Sequence, residues 1–363
     1  MSQRAVQTGE DTSVGSVVNV CVVGLGRAGM VHAVNFQRHV PGAVLAAVVE
    51  ADREVLEARA AELGVAGRFT GIRESLDGAP VDAVCITTPT FTHAEIAVAS
   101  ARAGKHVLCE KPMALNLVEA DRMIEAAADA GVLLQMAFMR RFDPAFREAR
   151  QLVAEGRIGR PMVIRSLTRG PGLPPRWAWD AARSNGMLAE VNSHDFDTVR
   201  WIAGTEVTRV YAETSATKRP DLLQEFPGFY DSAVVTLRMA DGVLATIDGA
   251  CPVDYGYDAR LEVLGTEGVL QVGELRGGAV LLCTRASGVQ SKPFASWRDR
   301  FREAYIAEAA HFIRCIHGEE QLLSTGLDGR RALEATLAAN LSSRLGVPVV
   351  LPLEEAGAPG DRA

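Results

Sequence analysis

The sequence predicts an α/β protein in which a doubly wound parallel sheet is followed by an α+β domain with a mostly antiparallel open sheet. Three observations predict this fold. Short apolar strands alternate with helical stretches from residue 18 to about residue 140. A glycine-rich turn, Gly24-Leu25-Gly26-Arg27-Ala28-Gly29, joins the first strand to the first helix. Beyond residue 140, strand-like runs are joined by hairpin turns, which favours antiparallel pairing.

The first part of the chain reads as a series of buried strands and crossover helices. Continuous β-branched runs are typical of strands that are buried on both faces. The predicted strands are Val17–Val23, Val44–Val49, Arg68–Thr70, Val81–Ile86, His106–Cys109 and Val132–Met139. The predicted helices run from the glycine turn to about Gln37 and over Arg53–Leu63, Thr92–Ala103 and Leu117–Ala130. Gly104 ends the third of these helices, as glycine commonly does.

The second part is dominated by strands. Asp241-Gly242 and Thr266-Glu267-Gly268 have the residue types of hairpin turns. The predicted strands are Met162–Leu167, Thr208–Ser215, Ser232–Met239, Val243–Ile247, Ala259–Leu264, Val269–Val272 and Val280–Cys283. The predicted helices are Pro144–Glu155, Met187–Ile202, Trp297–His317 and Gly329–Leu345.

Length and composition define the domains and the class of protein. The 363 residues divide into a disordered segment (1–17), a nucleotide-binding domain (18–140), a substrate and oligomerisation domain (141–353) and a flexible tail (354–363), with the C-terminal helices free to pack back on the first domain. A mixed-sign net charge of −7 argues against nucleic-acid or membrane partners. Six scattered cysteines, without a Cys-x-x-Cys pair, predict no disulfide or metal site and a reducing cytoplasm. No apolar run is long enough to predict a membrane span.

The glycine turn predicts a Rossmann-type site for a dinucleotide. Gly24 allows the tight turn, Gly26 lets the backbone approach a pyrophosphate, and Gly29 permits close packing of helix on strand. The N-terminus of the helix that follows supplies free N–H groups for the phosphates. The strand before the turn and the helix after it make this reading much stronger than the glycines alone.

Glu50 predicts that the dinucleotide is NAD. It ends the second strand 21 residues after Gly29, where a carboxylate accepts hydrogen bonds from a ribose 2′-hydroxyl and repels a 2′-phosphate. Arg53 is the nearby residue that would favour NADP, and the intervening Asp52 weakens that reading.

Two polar clusters are candidates for the chemistry. Glu110-Lys111-Pro112 follows a predicted strand directly, at the sheet edge where ligands bind in such folds. Glu190, His194 and Asp197 lie four and three residues apart, so one uninterrupted helix would present them on one face. A histidine flanked by carboxylates suits proton transfer near neutral pH. A solvated polar face is the alternative, and the absence of a second His or Cys cluster argues against a metal.

These motifs together resemble the glucose–fructose oxidoreductase/inositol dehydrogenase family, Gfo/Idh/MocA. The similarity extends from residue 18 to about 350. Besides the glycine turn, the matching pieces are Thr88-Pro89 with His93, Ala103-Gly104-Lys105-His106-Val107 leading to Glu110-Lys111-Pro112, and His194-Asp195-Phe196-Asp197. Phe138–Asp143 and Asp254–Asp258 bring the resemblance closer to the inositol dehydrogenases.

The resemblance implies a mechanism and a set of site residues. Lys111 would hydrogen-bond the reacting oxygen, His194 would take its proton while hydride passes to nicotinamide C4, and Glu190 would orient the substrate. Pro112 would fix the direction of the lysine. The implied cofactor-binding residues are Gly24, Gly26, Arg27, Ala28, Gly29, Glu50, Thr88, Pro89, His93, Glu110 and Lys111. The implied substrate-binding residues are Lys111, Arg140, Thr168, Glu190, His194, Tyr255 and Tyr257.

The sequence departs from the inositol dehydrogenase pattern at two positions. Glu190 stands where the family usually has Asp, and Thr168 stands where these enzymes tend to have His. Both departures put myo-inositol itself in question as the substrate. Tyr255 and Tyr257 match pocket positions, although cross-strand packing is an equal reading of strand residues two apart.

The sequence thus predicts a cytoplasmic, NAD-dependent dehydrogenase that oxidises a secondary hydroxyl of a cyclitol or pyranose-like sugar. One alternative is a sugar 3-dehydrogenase acting on a glycoside or aminosugar in secondary metabolism. A second is a relative that uses bound NAD catalytically within a hydrolysis or an exchange between sugars. A third is a non-catalytic NAD-binding regulator. An uncovered face of the second sheet and the resemblance both predict a homo-oligomer, either a dimer or a tetramer.

Overall fold

The computed structural model describes residues 17–353. The predicted disordered segment at 1–17, apart from its last residue, and the predicted tail at 354–363 lie outside the described residues. The first sheet is parallel throughout, in the order β3-β2-β1-β4-β5-β6. Its strands are β1 Val18–Val23, β2 Ala43–Val49, β3 Gly67–Phe69, β4 Ala83–Ile86, β5 His106–Glu110 and β6 Leu134–Ala137. This doubly wound sheet confirms the predicted fold class for the first part of the chain.

The helices between these strands place the candidate residues at one edge of the sheet. They are α1 Arg27–Arg38, α2 Arg53–Leu63, α3 Ile72–Gly78, α4 His93–Arg102 and α5 Leu117–Asp129. The strand order reverses between β1 and β4, which pair with each other as neighbours. The glycine turn after β1, Thr88 after β4 and Lys111 after β5 therefore meet at this reversal, where open α/β sheets bind ligands.

The second sheet is mixed and mostly antiparallel, in the order β12-β11-β7-β10-β9-β8-β15. β10 and β7 pair in parallel, and the other neighbours pair antiparallel. The strands are β7 Pro161–Arg169, β8 Val207–Ser215, β9 Ser232–Met239, β10 Leu244–Ala250, β11 Asp258–Gly265, β12 Val269–Val272 and β15 Val349–Val350. The α+β character predicted for this part is confirmed, and β15 was missed because two residues carry no periodic signal.

The remaining elements show where hairpins and helices differ from the prediction. They are β13 Leu282–Thr284, β14 Gly288–Gln290, α6 Pro144–Ala154, α7 Ala181–Ser184, α8 Gly186–Glu190, α9 Ser193–Ala203, α10 Trp297–Arg300, α11 Arg302–Ile316 and α12 Gly326–Leu345. The strand predicted at Val280–Cys283 is in fact one arm of the separate β13–β14 hairpin. The last helix begins three residues earlier than predicted because Thr325 and Asp328 form a capping box.

The helix predicted over Met187–Ile202 is wrong as a single element. α8 ends at Glu190 and α9 begins at Ser193, with Val191 and Asn192 between them. The Asn192 side chain donates from Nδ2 to Asp195 Oδ2 at 2.8 Å. Asparagine favours such local bonds over the helical ladder, which explains the interruption despite continuing apolar periodicity.

The C-terminal helices pack on the parallel sheet as well as on the second sheet. Phe312 and Ile313 of α11 share one hydrophobic core with Phe36 and Val40 at α1. α12 packs against β8 and α9 and also against α5. Within residues 17–353, no helix is long and apolar enough to cross a membrane.

Candidate active site

The glycine turn is shaped so that side chains are excluded where the backbone is tightest. Gly24 has φ +93°, and a Cβ there would lie 2.9 Å from the backbone nitrogen of Thr88. A Cβ on Gly29 would lie 1.9 Å from the carbonyl oxygen of Gly24. Gly26 has nothing within 4 Å of its Cβ position, at the start of α1, where the helix N-terminus is open to a phosphate. The turn therefore fits a pyrophosphate, as predicted for a dinucleotide.

Glu50 is held beside this turn by backbone donors. Its Oε2 accepts the N–H of Leu25 at 2.9 Å, and its Oε1 accepts the N–H of Asp52 at 3.2 Å. A carboxylate has further lone pairs on both oxygens. Glu50 can thus accept ribose hydroxyls while it remains anchored to the glycine turn.

His93 ties the loop after β4 to the loop after β5. Its Nε2 lies 2.9 Å from the carbonyl oxygen of Thr88, and its Nδ1 lies 2.9 Å from that of Pro112. Burial lowers the pKa of His93 despite these carbonyl contacts. The Lys111–Pro112 peptide bond, which follows β5, is cis. His93 therefore joins two loops of the site, and both of its ring nitrogens contact protein oxygens.

Lys111 reaches from the parallel sheet to the helix of the second part. Its Nζ donates to the carbonyl oxygen of Glu190, at the end of α8, over 2.6 Å. The Glu190 carboxylate does not bond to Lys111. Its Oε1 accepts a hydrogen bond from the hydroxyl of Thr90 at 2.8 Å. Lys111 and Glu190 are thus neighbours, as the motifs predicted, with the lysine bonded to the backbone of Glu190.

The protein environment raises the pKa of the Glu190 carboxyl group above its value in water. Burial raises the pKa of Glu190 to about 7, although the charge of Lys111 and the hydroxyl of Thr90 act in the opposite direction. Part of the side chain still reaches solvent. Near neutral pH this carboxyl group therefore changes charge.

His194 lies in the first turn of α9 and is almost fully buried. Burial, and then the charges of Lys111 and Arg140, lower the pKa of His194 well below its usual value. Its Nδ1 has no hydrogen-bond partner among the described residues, and the ring meets Phe138 edge-on at 6.1 Å between centroids. The His194 imidazole is therefore neutral near pH 7 and can accept a proton, but the nearby positive charges make it a weaker base than a histidine in water.

The uninterrupted helix on which the one-face hypothesis rested is absent, because Glu190 lies on α8 whereas His194 and Asp197 lie on α9. The break at Val191 and Asn192 changes the rotation between α8 and α9. Asp197 instead forms a buried, two-bond ion pair with Arg141, whose Nη2 and Nε lie 2.6 and 2.9 Å from its oxygens. Its role is therefore in packing α9 against the segment around Arg141.

Arg140 and Thr168 both form hydrogen bonds with the carboxylate of Asp195. Arg140 Nη1 donates to Asp195 Oδ1 at 2.8 Å, and the Thr168 hydroxyl donates to Asp195 Oδ2 at 2.6 Å. Ser166 donates to the same carboxylate at 2.6 Å, and Thr168 also accepts from Arg140. The hydroxyl proton that Thr168 was expected to offer a substrate is thus committed to Asp195. The sequence analysis missed Asp195 as a hub, although it lies within the matched His194–Asp197 motif.

Tyr255, Tyr257 and Glu110 also differ from simple pocket positions. The two tyrosines precede β11, and of the two only Tyr257 forms an isolated antiparallel bridge, which pairs it with Phe294. Tyr257 is buried against Arg140 and Phe301, whereas Tyr255 is 40% exposed. The Tyr255 hydroxyl donates to Asp258 at 3.0 Å. Glu110 is buried, and both of its oxygens bond within the protein.

The site defines a class of protein, and comparison identifies the family. A glycine turn and acidic residue on a parallel sheet, facing a lysine and a neutral histidine, are the parts of an NAD-binding oxidoreductase. Residues 18–138 match a family model described as "Oxidoreductase family, NAD-binding Rossmann fold", and residues 146–271 match the GFO/IDH/MocA C-terminal domain. The chain belongs to the GFO/IDH/MocA oxidoreductase family.

Three similar proteins illustrate the relationship. The NAD(+)-dependent scyllo-inositol 2-dehydrogenase of Bacillus subtilis is 35% identical over 93% of this chain and 98% of its own. The myo-inositol 2-dehydrogenase of Thermotoga maritima is 36% identical over 90% and 96%. Scyllo-inositol dehydrogenase from Lactobacillus casei, whose structure contains bound NAD(H) and scyllo-inositol, is 28% identical in sequence. The match covers 92% of this chain and 99% of that one, with a TM-score of 0.86. These comparisons confirm the predicted family, the oxidoreductase class and NAD as cofactor.

No metal cluster is found among the described residues. Groups of three or more His, Cys, Asp or Glu side chains able to hold a metal ion do not occur between residues 17 and 353.

Proposed function

We propose that this protein oxidises a secondary hydroxyl group of a cyclitol or pyranose-like sugar, with NAD as the oxidant. The observation that carries the proposal is the meeting of Lys111, Glu190 and neutral His194 at the ligand-binding edge of the parallel sheet. Relatives of similar length that are named inositol 2-dehydrogenases support this substrate class.

Each residue of the cluster has a role in this proposal. The glycine turn and Glu50 hold the cofactor, which accepts a hydride from the carbinol carbon when it is bound. His194 takes the hydroxyl proton, because its imidazole is neutral at pH 7. Lys111 donates a hydrogen bond to the same oxygen and stabilises the negative charge that develops there. Glu190 orients the substrate hydroxyls.

Arg140 and Thr168 support the site indirectly, through Asp195. Both bond to Asp195, which adjoins His194 in the first turn of α9. They therefore fix the start of α9 and, through it, the position of His194. Tyr257 extends this support through its contact with Arg140.

A panel of substrates tests the proposal. Inositols, free sugars and aminoglycosides are each incubated with NAD and the protein, and formation of NADH is followed by absorbance. We expect stoichiometric NADH with at least one ring bearing a secondary hydroxyl. Turnover without net NADH would identify the relative that recycles its bound NAD, and a complete lack of chemistry alongside tight NAD binding would identify a regulator.

A second candidate, an amine-bearing ring, is favoured by Glu190. This residue places a negative charge where a neutral cyclitol offers no cation, and a charged amine forms a stronger hydrogen bond with a carboxylate. kcat/KM for aminosugar glycosides is compared with that for myo-inositol in the wild type and in Glu190→Gln. A preference for amines that disappears in the variant supports this candidate, and a wild-type preference for myo-inositol contradicts it.

We also propose that the protein acts in the cytoplasm as a homo-oligomer. Scattered cysteines suit a reducing compartment. Leu244, Leu264, Val269 and Val234 are 38–59% exposed on four strands of the outer face of the second sheet. These apolar side chains stand among charged ones such as Arg165 and Glu262, and an exposed sheet face of this mixed kind can be covered by a second copy of the chain.

A further inference from the structure

A cluster of buried ionisable side chains adjoins Lys111 and has no part in the proton transfer proposed above. Glu110, at the end of β5, is 6% exposed, and His32 of α1 and Glu308 of α11 are both 0% exposed. Tyr305, one turn before Glu308, meets the His32 ring edge-on at 5.5 Å between centroids. Because Tyr305 and Glu308 lie on one face of α11, that face packs on His32.

Glu110 holds Lys111 by its backbone. Its Oε2 accepts the N–H of Lys111 at 3.1 Å, and its Oε1 lies 3.0 Å from His32 Nε2. Burial by itself raises the pKa of Glu110, but the hydrogen bond from His32, the charge of Lys111 and the hydrogen bond from the Lys111 backbone outweigh it, so the pKa lies below its usual value. Glu110 is therefore a carboxylate at neutral pH, and because a carboxylate only accepts, His32 Nε2 carries a proton.

Two groups of this cluster, on His32 and Glu308, lack hydrogen-bond partners that each could supply to the other. Among the described residues, His32 Nδ1 and both carboxyl oxygens of Glu308 have no hydrogen-bond partner. Burial, with the charge of Glu110 adding to it, raises the pKa of Glu308 well above its usual value. A protonated carboxyl group has one O–H to donate, and the second nitrogen of a neutral imidazole accepts. Since α1 and α11 pack together, donor and acceptor lie on the same buried interface.

We propose that Glu110 and His32 are positioning residues for Lys111, and that Glu308 completes the cluster by donating its carboxyl proton to one water that in turn donates to His32 Nδ1. These bonds fix the backbone at Lys111 and hence the direction of its amine. They tie the lysine to α1, whose first turn forms the phosphate site, and to α11. The inference rests on the proposed function, in which Lys111 acts at the substrate oxygen.

The same substitution at the two glutamates distinguishes their roles. Glu308→Gln keeps an N–H donor for the water that donates to His32 Nδ1, so kcat with the best substrate of the panel should stay close to that of the wild type. Glu110→Gln replaces one accepting oxygen by a donor that faces the His32 N–H. We expect kcat to fall on the order of 10²-fold, since small displacements of a reacting group cost about that much. The Kd of NADH, measured by fluorescence, should change little in either variant.

Glu320→Gln is the matched control. Glu320 follows α11 and bonds to His311, which lies on the same helix as Glu308, with Oε2 2.5 Å from Nδ1. Glu320 is outside the buried cluster. This change should leave kcat unchanged. Glu308→Leu removes the donor and should lower kcat. If this variant does not fold, Glu308→Gln and Glu110→Gln still test the roles of the two glutamates.

An infrared spectrum tests the cluster without any substrate. The wild type minus Glu308→Gln difference should contain the carbonyl band of a protonated carboxyl group at neutral pH. The inference is overturned if that band is missing, if Glu110→Gln keeps full kcat, or if both glutamine variants lose kcat equally. If the wild type reduces NAD with no substrate of the panel, the proposed function fails, while the infrared band still tests the cluster.

Discussion

At the scale of single residues, Glu50 governs the choice of cofactor. Two backbone N–H groups hold its carboxylate beside the glycine turn, where a 2′-phosphate would meet a negative charge. We predict that kcat/KM with NAD exceeds that with NADP by at least about tenfold, which corresponds to ~1.4 kcal/mol. Glu50→Ala should reduce this preference, and Arg53→Ala should preserve it. Equal use of both cofactors by the wild type would mean that Arg53 dominates.

Glu190 should impose a pH dependence on activity. Its pKa is raised to about 7, so the fraction of carboxylate falls as the pH falls through that value. Because the orienting role requires the charged form, we predict that kcat/KM decreases below about pH 7. His194 titrates well below its usual range and does not produce this limb. The profile of Glu190→Gln should lack the limb near pH 7, and its persistence there would assign the titration to another group.

The residue positions that the sequence could predict are those encoded locally. The glycine turn and Glu50 are defined by neighbours along the chain, and both lie as expected. Thr168 and Arg140 were predicted to contact substrate, yet their partner Asp195 lies 27 and 55 residues away in sequence. The bond of Glu110 to His32 spans 78 residues. A motif places a residue at a site, but it does not show which distant partner uses its polar atoms.

At the scale of elements, the network around Asp195 joins β7, α9 and the segment carrying Arg140. Arg140 and Asp195 are 1% and 0% exposed, and removing the acid would leave a buried cation without its partner. We predict that Asp195→Ala lowers the free energy of unfolding by about 3–5 kcal/mol, measured by urea denaturation.

Glu62 provides the control for this prediction. It pairs with Arg59 on the surface of α2, where the side chains are 54% and 46% exposed. Glu62→Ala should cost less than about 1 kcal/mol. Equal costs for the two substitutions would show that the Asp195 network does not stabilise the fold.

Elements were predicted best where burial produces a regular pattern. The central strands of the parallel sheet are buried on both faces and stand out as apolar runs, such as β4, which is buried throughout. The break between α8 and α9 was missed because the apolar pattern continues across Asn192. Its cause is a side-chain bond to Asp195, which periodicity does not reveal.

At the scale of the whole molecule, the outer face of the second sheet predicts self-association. We expect the wild type to elute with a mass that is a multiple of 38.8 kDa in chromatography with light scattering. Val234→Lys, at a side chain 59% exposed on this face, should lower that mass because it buries a charge in the interface. Val118→Lys, at a 70% exposed residue of α5, should not. A monomeric wild type would contradict the proposal.

The central claim is that His194 removes the proton of the alcohol while Lys111 assists, and one measurement tests it most directly. This is kcat for NADH formation by His194→Ala with the best substrate of the panel, beside the wild type. A positioned general base contributes ~10²–10⁴ in rate, so we predict a loss of that size with the Kd of NAD and the melting temperature nearly unchanged. If His194→Ala keeps near-full kcat, the proposed proton transfer is wrong.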